Sequence, residues 1–150
     1  MKKVVKVYFR EKTIIDVLFN DGIVKRYDVL SLSSYYPQLN QLKDRDLFLK
    51  GKVLGVSGIK WNDDLDIEGK TIYDDGKTVE IEEPIENALL GFRLKEERIK
   101  MRLSQENISK LTGIDQGDIS KIENGMDNPT LSTIKKIAAS LNKKISFIIV

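Results

Sequence analysis

Apolar and polar residues alternate in short runs along the first part of the chain, a pattern typical of β-strands. The runs 4–9 (VVKVYF), 13–19 (TIIDVLF) and 23–30 (IVKRYDVL) are rich in β-branched and aromatic residues. The Asn-Asp-Gly sequence at 20–22 separates the second run from the third, and these residue types tolerate the positive φ angles of tight turns. The pattern therefore predicts three strands, of which the last two form a hairpin.

The pattern changes after residue 30. Segment 31–44 begins with serines, spaces two leucines three positions apart and carries Pro37, which favours a short helix. Another strand is predicted over 52–61, and 71–84 could form a last hairpin around its Asp-Gly pair or a trailing strand. The layout β-β-β-α-β, with one extra strand possible, indicates an α+β domain.

A helical period begins near residue 87. Leu90 and Leu94 are four residues apart, which places them on one helix face. Pro84 cannot donate to a β-ladder but fits the first turn of a helix. We therefore expect two domains, 1–83 and 84–150.

Residues with capping chemistry mark the helix boundaries of the second domain. Ser104, Asp115 and Thr130 can each cap a helix N-terminus, and Gly113 suits a left-handed helix stop. Asn107 occupies the position at which a capping box has Glu or Gln. The residues predicted to face the core are Ile108, Leu111, Ile119, Ile122, Leu131, Ile134, Ile137, Ala138 and Leu141.

The segment NKKISFIIV at 142–150 does not continue the last helix. Its β-branched residues and the alternation of Ile145, Phe147 and Ile149 predict a strand. Because an unpaired strand is costly, it should pair with a second copy in a homodimer or with a sheet of the first domain. We favour the homodimer.

Composition restricts the chemistry that the chain can perform. It has no cysteine and no histidine, so disulfides, thiolate metal sites and histidine-based catalysis are excluded. We expect neither an enzyme nor a cofactor, and a cytoplasmic protein without a signal peptide or membrane span.

Residues 1–83 carry 14 Lys+Arg and 15 Asp+Glu, a net charge of −1, whereas 84–150 carry 11 and 8, a net charge of +3. Only the second domain should attract a polyanion.

One acidic stretch is similar to a calcium-binding loop. Asp64, Asp66 and Glu68 precede a glycine, and Asp75 stands at the twelfth position. The residue types at the fifth and twelfth positions differ from the preferred ones, and no flanking helices are predicted. We therefore predict an acidic surface turn and no metal site.

Two predicted helices joined by a three-residue, glycine-containing turn have the layout of a helix-turn-helix. The motifs LSQENIS, TGI, IENG and NPTLSTIKKIA, with Leu94 and Arg98, resemble the Cro and phage-repressor type, also called the xenobiotic response element family. The resemblance covers about residues 88–142 and implies an all-α, lambda-repressor-like domain. It also implies a regulator that binds a double-stranded DNA operator.

In such a domain the second helix of the pair lies in the major groove, and its outward N-terminal residues meet base edges. By resemblance, Gln116, Ser120 and Lys121 match base-contacting positions. Gly117 shares that surface, where the family often has a reading side chain. Gln can bond adenine in a bidentate fashion, and Lys can donate to guanine.

The resemblance assigns further polar residues to the DNA backbone and to the fold. Gln105 and Asn124 match phosphate-contacting positions. Arg98 and Glu123 match a structural ion pair that locks the first helix to the third. Asp118 departs from the family by adding a negative charge near the DNA, so we expect modest affinity per subunit and a dimer that binds two half-sites.

The first domain resembles a small bacterial family of unknown function. The resemblance rests on LFNDG, RYDV and IKWNDDLDIEGKTIYDDG and covers roughly residues 4–75. That family occurs alone or ahead of a helix-turn-helix domain, and it implies no catalytic residues.

These observations predict a sequence-specific DNA-binding regulator, in the form of a dimeric repressor. The favoured subtype is a type II antitoxin-like autorepressor whose first domain binds a toxin-like partner protein. Two alternatives remain: an adaptor with a degenerate helix-turn-helix, and a repressor that senses a ligand through its first domain.

Overall fold

The computed structural model describes residues 1–54 and 57–149, and the chain divides into two compact units, Met1–Glu82 and Glu83–Val150. The first unit is rich in strands and the second is helical, which confirms the predicted fold class. Within the described residues, no helix is both long and apolar enough to cross a membrane.

A four-stranded antiparallel sheet with the order β1-β2-β3-β7 forms one layer of the first unit. Its strands are β1 Val4–Phe9, β2 Ile14–Phe19, β3 Val24–Asp28 and β7 Lys77–Val79. Gly22 has a φ of 88° in the turn before β3, and its N–H donates to the Phe19 carbonyl at 2.9 Å. The first three predicted strands and the hairpin are therefore confirmed.

A second antiparallel sheet has three strands: β4 Lys52–Leu54, β5 Gly58–Asn62 and β6 Leu65–Glu68. The prediction of one strand over 52–61 is wrong, because the segment contains two strands of a hairpin; positions 55 and 56 lie outside the described residues. Glycines, which allow a bend, stand at position 55 and at position 58, where β5 begins, but they also fit a bend within one strand. The acidic stretch supplies the third strand.

Short helices connect the two sheets. A 3-10 helix, Pro37–Lys43, precedes α1 Arg45–Phe48, so the segment predicted to be helical is helical from Pro37, which lies in the first turn as expected. Helix α2, Gly69–Asp75, was not predicted, and β7 follows it as the trailing strand rather than as part of a hairpin. Its Thr-Ile-Tyr run has β-branched and aromatic residues followed by Asp-Gly, which made a hairpin the natural reading.

The core of the first unit surrounds β2. Ile15, Val17 and Phe19 are fully buried on one face of the sheet. Trp61 packs into the same core, and its indole N–H donates to the Phe48 carbonyl at 2.7 Å. Buried indole nitrogens need such a partner, because an unpaired donor is costly to desolvate.

One charged residue lies inside this unit. The Asp16 carboxylate is 1% exposed and accepts hydrogen bonds from Arg10 at 2.7 Å and from Arg26 at 2.8 Å. Burial by itself raises the pKa of Asp16, but the hydrogen bonds from Arg26 and Arg10 outweigh it, so that the pKa lies below its usual value.

The second unit contains four helices: α3 Glu83–Lys100, α4 Gln105–Thr112, α5 Gln116–Glu123 and α6 Leu131–Ser140. Its core joins all four through buried aliphatic side chains, namely Leu94, Ile108, Ile119, Ile122, Ile137 and Leu141. The helical periodicity that predicted this packing is confirmed for these residues.

The predicted caps are present. Asp115 caps α5 and Thr130 caps α6 through their side chains, and Gly113 ends α4 with a φ of 75°. Ser104 and Asn107 exchange hydrogen bonds of 3.0 and 2.8 Å, which completes a capping box. The sequence pattern had put the box in doubt, but the shorter Asn side chain still reaches the Ser104 amide.

Three predictions for this unit are wrong. Leu111 is 64% exposed and Leu131 is 52% exposed, because each lies in a terminal turn of its helix, where the adjacent helix does not cover it. Residues 143–149 have no regular secondary structure, although a strand was predicted over 142–150; position 150 lies outside the described residues. A strand requires a hydrogen-bonding neighbour, and no described strand of the chain pairs with this segment.

Candidate nucleic-acid interface

Helices α4 and α5 are joined by a turn of three residues, as a helix-turn-helix requires. Gly113 adopts the left-handed conformation that an L side chain rarely tolerates, so the chain can reverse directly after α4. The Thr112 hydroxyl donates to the Ile108 carbonyl at 2.7 Å and accepts from the Ile114 amide at 3.2 Å. These bonds tie the first part of the turn to the last turn of α4.

Helix α5 has one buried face and one accessible face. Ile119 is fully buried and Ile122 is 3% exposed, and both pack into the core. Gln116 and Lys121 are exposed on the opposite face, and Ser120 is half-buried there. The structure thus places three of the predicted base-contacting residues on the accessible side of the helix.

The Arg98–Glu123 ion pair joins α3 to the C-terminal end of α5. Arg98 Nε and one terminal nitrogen donate to the two Glu123 carboxylate oxygens at 2.6 and 2.9 Å, while its other terminal nitrogen donates to the Leu103 carbonyl at 2.7 Å. Both side chains are buried. The hydrogen bonds that Arg98 donates to the Glu123 carboxylate raise the pKa of Arg98, so the guanidinium remains charged in the interior. This geometry locks α5 against α3.

Gln105 connects this ion pair to the accessible face of α5. Its Nε2 donates to Glu123 Oε2 at 2.8 Å, and its Oε1 accepts from Gln116 Nε2 at 2.7 Å. The sequence resemblance gave Gln105 a phosphate-contacting position but not these bonds. We call the connected series Arg98–Glu123–Gln105–Gln116 the amide relay.

The C-terminal end of α5 carries the remaining predicted contacts. Asn124 caps the helix, and its Nδ2 donates to the Ser120 carbonyl at 2.8 Å. Lys121 Nζ lies 3.7 Å from Asp118 Oδ1 in a solvent-exposed i,i+3 pair. Exposed pairs of this kind are weak, so Lys121 can exchange Asp118 for another acceptor at little cost.

Two glycines that the sequence analysis did not assign bring α3 close to α5. A Cβ added at Gly91 would lie 2.0 Å from the Ile122 carbonyl oxygen, and one at Gly125 would lie 2.5 Å from Ala88 Cα. No side chain fits in either place without moving backbone. The sequence signal for Gly91 was a glycine inside a helical period, which commonly has a packing cause, whereas Gly125 follows the end of α5 with a φ of 65°.

Comparison with known proteins agrees with this geometry. The helix-turn-helix family matches residues 94–148. An HTH-type transcriptional regulator of Haemophilus influenzae is 37% identical over 71 residues, which are 45% of this chain and 72% of that protein. Another, from Archaeoglobus fulgidus, is 38% identical over 58 residues, 39% of this chain and 82% of that protein.

Two solved structures are also similar. The restriction-modification controller protein C.AhdI of Aeromonas hydrophila is 36% identical, covers 37% of this chain and 83% of its own, and has a TM-score of 0.36. The putative DNA binding protein NE0471 of Nitrosomonas europaea is 16% identical, covers 95% and 85%, and has a TM-score of 0.43.

The three-residue turn, the two-faced helix α5 and the two curated relatives agree on one assignment. The chain belongs to the helix-turn-helix transcriptional regulators of the Cro type, which are DNA-binding proteins.

Proposed function

We propose that the protein is a sequence-specific repressor that places α5 in the major groove of its operator. The observation that carries the proposal is the arrangement of α5, which buries two isoleucines and leaves Gln116, Ser120 and Lys121 accessible on the other side. Gly117 lies between them without a side chain, so the backbone can approach the base edges there.

The amide relay determines what Gln116 offers to a base. Glu123 only accepts hydrogen bonds, so Gln105 turns its NH₂ group towards Glu123 and its oxygen towards Gln116. Gln116 must then direct its own NH₂ group towards Gln105, which leaves its Oε1 and one N–H for the DNA. One acceptor beside one donor is the pattern that adenine N6 and N7 require.

The phosphate contacts follow from the same surface. Gln105 keeps a second amide N–H, and it occupies the first turn of α4, where backbone amides favour an anion. Asn124 lies one turn beyond Ser120 at the end of α5. We assign both residues to phosphates that flank the bases read by Gln116.

We infer that the repressor acts as a homodimer. Phe147 is 57% exposed and Ile148 is 85% exposed in the C-terminal segment, and Ile149 is fully exposed. Burial of these apolar side chains against a second copy would remove them from water and stabilise the dimer. A dimer would also place two α5 helices on half-sites one DNA turn apart, which compensates for the few contacts of each subunit.

The favoured biological setting is an antitoxin-like autorepressor in the cytoplasm. In it the second unit binds the promoter of its own gene, and the first unit binds a toxin-like partner protein. The separation of the chain into two compact units supports the proposal that one unit binds DNA and the other binds the partner protein.

The test is binding of the full chain to DNA from its own promoter region, measured by fluorescence anisotropy against scrambled DNA of the same composition. We expect a clear preference for the promoter and a steep loss of affinity with salt. Lys121→Ala should weaken binding, and Lys135→Ala, an exposed α6 lysine outside the proposed surface, serves as the control. Equal affinity for promoter and scrambled DNA would exclude the proposal.

One observation favours a second candidate, an adaptor that no longer binds DNA. Asp118 adds a negative charge to the accessible part of α5 and pairs with Lys121. In that case Asp118→Asn would not change the affinity for promoter DNA, whereas a repressor should gain affinity when this charge is removed.

A further inference from the structure

A groove in the first unit runs along β6, the last strand of the three-stranded sheet. Its floor contains Leu39 and Ile67, which are nearly buried, and its walls carry Tyr36 and three carboxylates. The carboxylates belong to Asp64, Asp66 and Glu68. We call this feature the β6 groove.

The groove follows an open strand edge. Strand β6 pairs with β5, and among the described residues no strand pairs with its other side. Asp66, Ile67 and Glu68 all line the groove, although successive side chains of a strand point to opposite faces. The edge of the strand is common to all three, and on the side away from β5 its backbone N–H and C=O groups have no strand partner among the described residues.

The groove carboxylates lack a direct ion pair within the described residues, although Lys60 interacts electrostatically with Asp66 and Lys70 with Glu68. Both lysines make their direct ion pairs outside the groove: Lys60 Nζ lies 2.8 Å from Asp63, and Lys70 pairs with Asp74. No salt bridge of the described residues includes the three groove carboxylates. A cationic ligand could therefore bind them without displacing an existing ion pair.

Two exposed tyrosines add an aromatic anchor. Tyr36 is 53% exposed at the groove, and its neighbour Tyr35 is 79% exposed. Tyrosines offer a large contact area at low entropic cost, and a guanidinium stacks favourably on their rings. An exposed ring beside carboxylates is thus suited to an arginine side chain.

We propose that the β6 groove binds an extended, basic segment of a partner protein, which adds a strand to β6 by main-chain hydrogen bonds. This inference deepens the proposed function, because it rests on the first unit being the partner-binding part. The edge supplies the backbone pairing, the carboxylates select basic side chains, and Tyr36 stacks on one of them. Nucleic acid is a poor occupant, since its phosphates would face three carboxylates.

The probe is a capped hexapeptide, Arg-Val-Arg-Val-Arg-Val, titrated into the ¹⁵N-labelled full chain and followed by NMR. We expect the largest chemical-shift changes at the amides of Leu65–Glu68 and of Tyr36. A Glu-Val hexapeptide should not bind. An Arg-Pro hexapeptide should bind at least about tenfold more weakly, because proline lacks the N–H that strand pairing needs.

The variants change charge on exposed residues only, and the circular dichroism of each is compared with that of the parent to confirm the fold. The double variant Asp66→Lys with Glu68→Lys should weaken Arg-Val peptide binding about tenfold or more. Asp75→Lys makes the same kind of change at an exposed residue outside the groove and should remain within about twofold of the parent. Equal losses in both variants, or shifts confined to other residues, would overturn the proposal.

Two further measurements distinguish the groove proposal from the repressor proposal and from binding of a second copy of the chain. DNA binding of the double variant should equal that of the parent, so failure of promoter binding by the parent chain refutes the repressor and leaves the groove result standing. Sedimentation of the parent and of the double variant identifies a different occupant. A dimer that dissociates only in the double variant would show that the groove holds a second copy of this chain, which contradicts a partner protein.

Discussion

Both units of the protein bury a charged hydrogen-bonded group, but the two groups differ in what they connect. In the first unit Asp16 accepts from Arg10 and Arg26, and the series ends at the surface, where Arg10 also contacts Glu82 at 3.3 Å. In the second unit the buried pair continues through Gln105 to the proposed DNA surface. A buried ion pair can therefore serve the fold alone, or it can also orient a side chain that reads a ligand.

The largest expected effect is the loss of Glu123. Glu123→Ala leaves Arg98, which is 9% exposed, without its carboxylate, and we expect a loss of about 3 kcal/mol or more in the free energy of unfolding of the second unit. Urea unfolding followed by far-UV circular dichroism measures it. Glu106→Ala removes an exposed partner of Lys110 and should change the stability far less. Similar losses in both variants would show that the buried pair has no special role.

The corresponding change in the first unit should cost less. Asp16→Asn removes the charge that two partly exposed arginines share, and water can solvate both of them afterwards. We expect a loss of about 2 kcal/mol for the imperfectly paired buried amide. Trp61, the single tryptophan of the chain, lies in this unit and reports its unfolding by fluorescence. Promoter binding should be unchanged. A large loss of promoter affinity would contradict the view that the buried Asp16 group serves only the fold.

A smaller effect should appear in acid. The pKa of Asp16 is lower in the folded state than its unfolded value of about 3.9. Its stabilising contribution is thus fully present above pH 3.9 and disappears as the pH falls through the folded pKa. Trp61 fluorescence in urea at pH 6 and in the acid range measures this loss. Asp16→Asn should reduce the difference between the two conditions, and an unaltered difference would assign the acid sensitivity to other carboxylates.

Local chemistry explains which elements could be predicted from the sequence. Ser104, Gly113 and Asp115 act through bonds to their own neighbourhood, so their positions already indicated where helices begin and end. The two-sided pattern of α5 likewise depends only on helical period. In contrast, α2 contains residues that favour strands, and its helix is fixed by the surroundings rather than by propensity.

Features that depend on tertiary approach could not be predicted. The sequence shows Gly91 only as a glycine within a helix, whereas its cause is tertiary: the Ile122 carbonyl lies where a side chain would stand. Gln105 matched a known position, but its bonds to Glu123 and Gln116 join residues 18 and 11 positions away. No sequence pattern indicates the β6 groove, because two segments that are far apart in the chain form it.

We propose that α5 reads DNA through a Gln116 side chain that the amide relay holds in one orientation. The most direct measurement is the base preference at each operator position, obtained from libraries of randomised DNA with the parent chain, Gln116→Ala and Gln105→Met. We predict that Gln116→Ala removes an adenine preference of about 1–3 kcal/mol at one position of each half-site. Gln105→Met should relax the same position and no other. Unchanged preferences in both variants, or a loss spread evenly over all positions, would contradict the account.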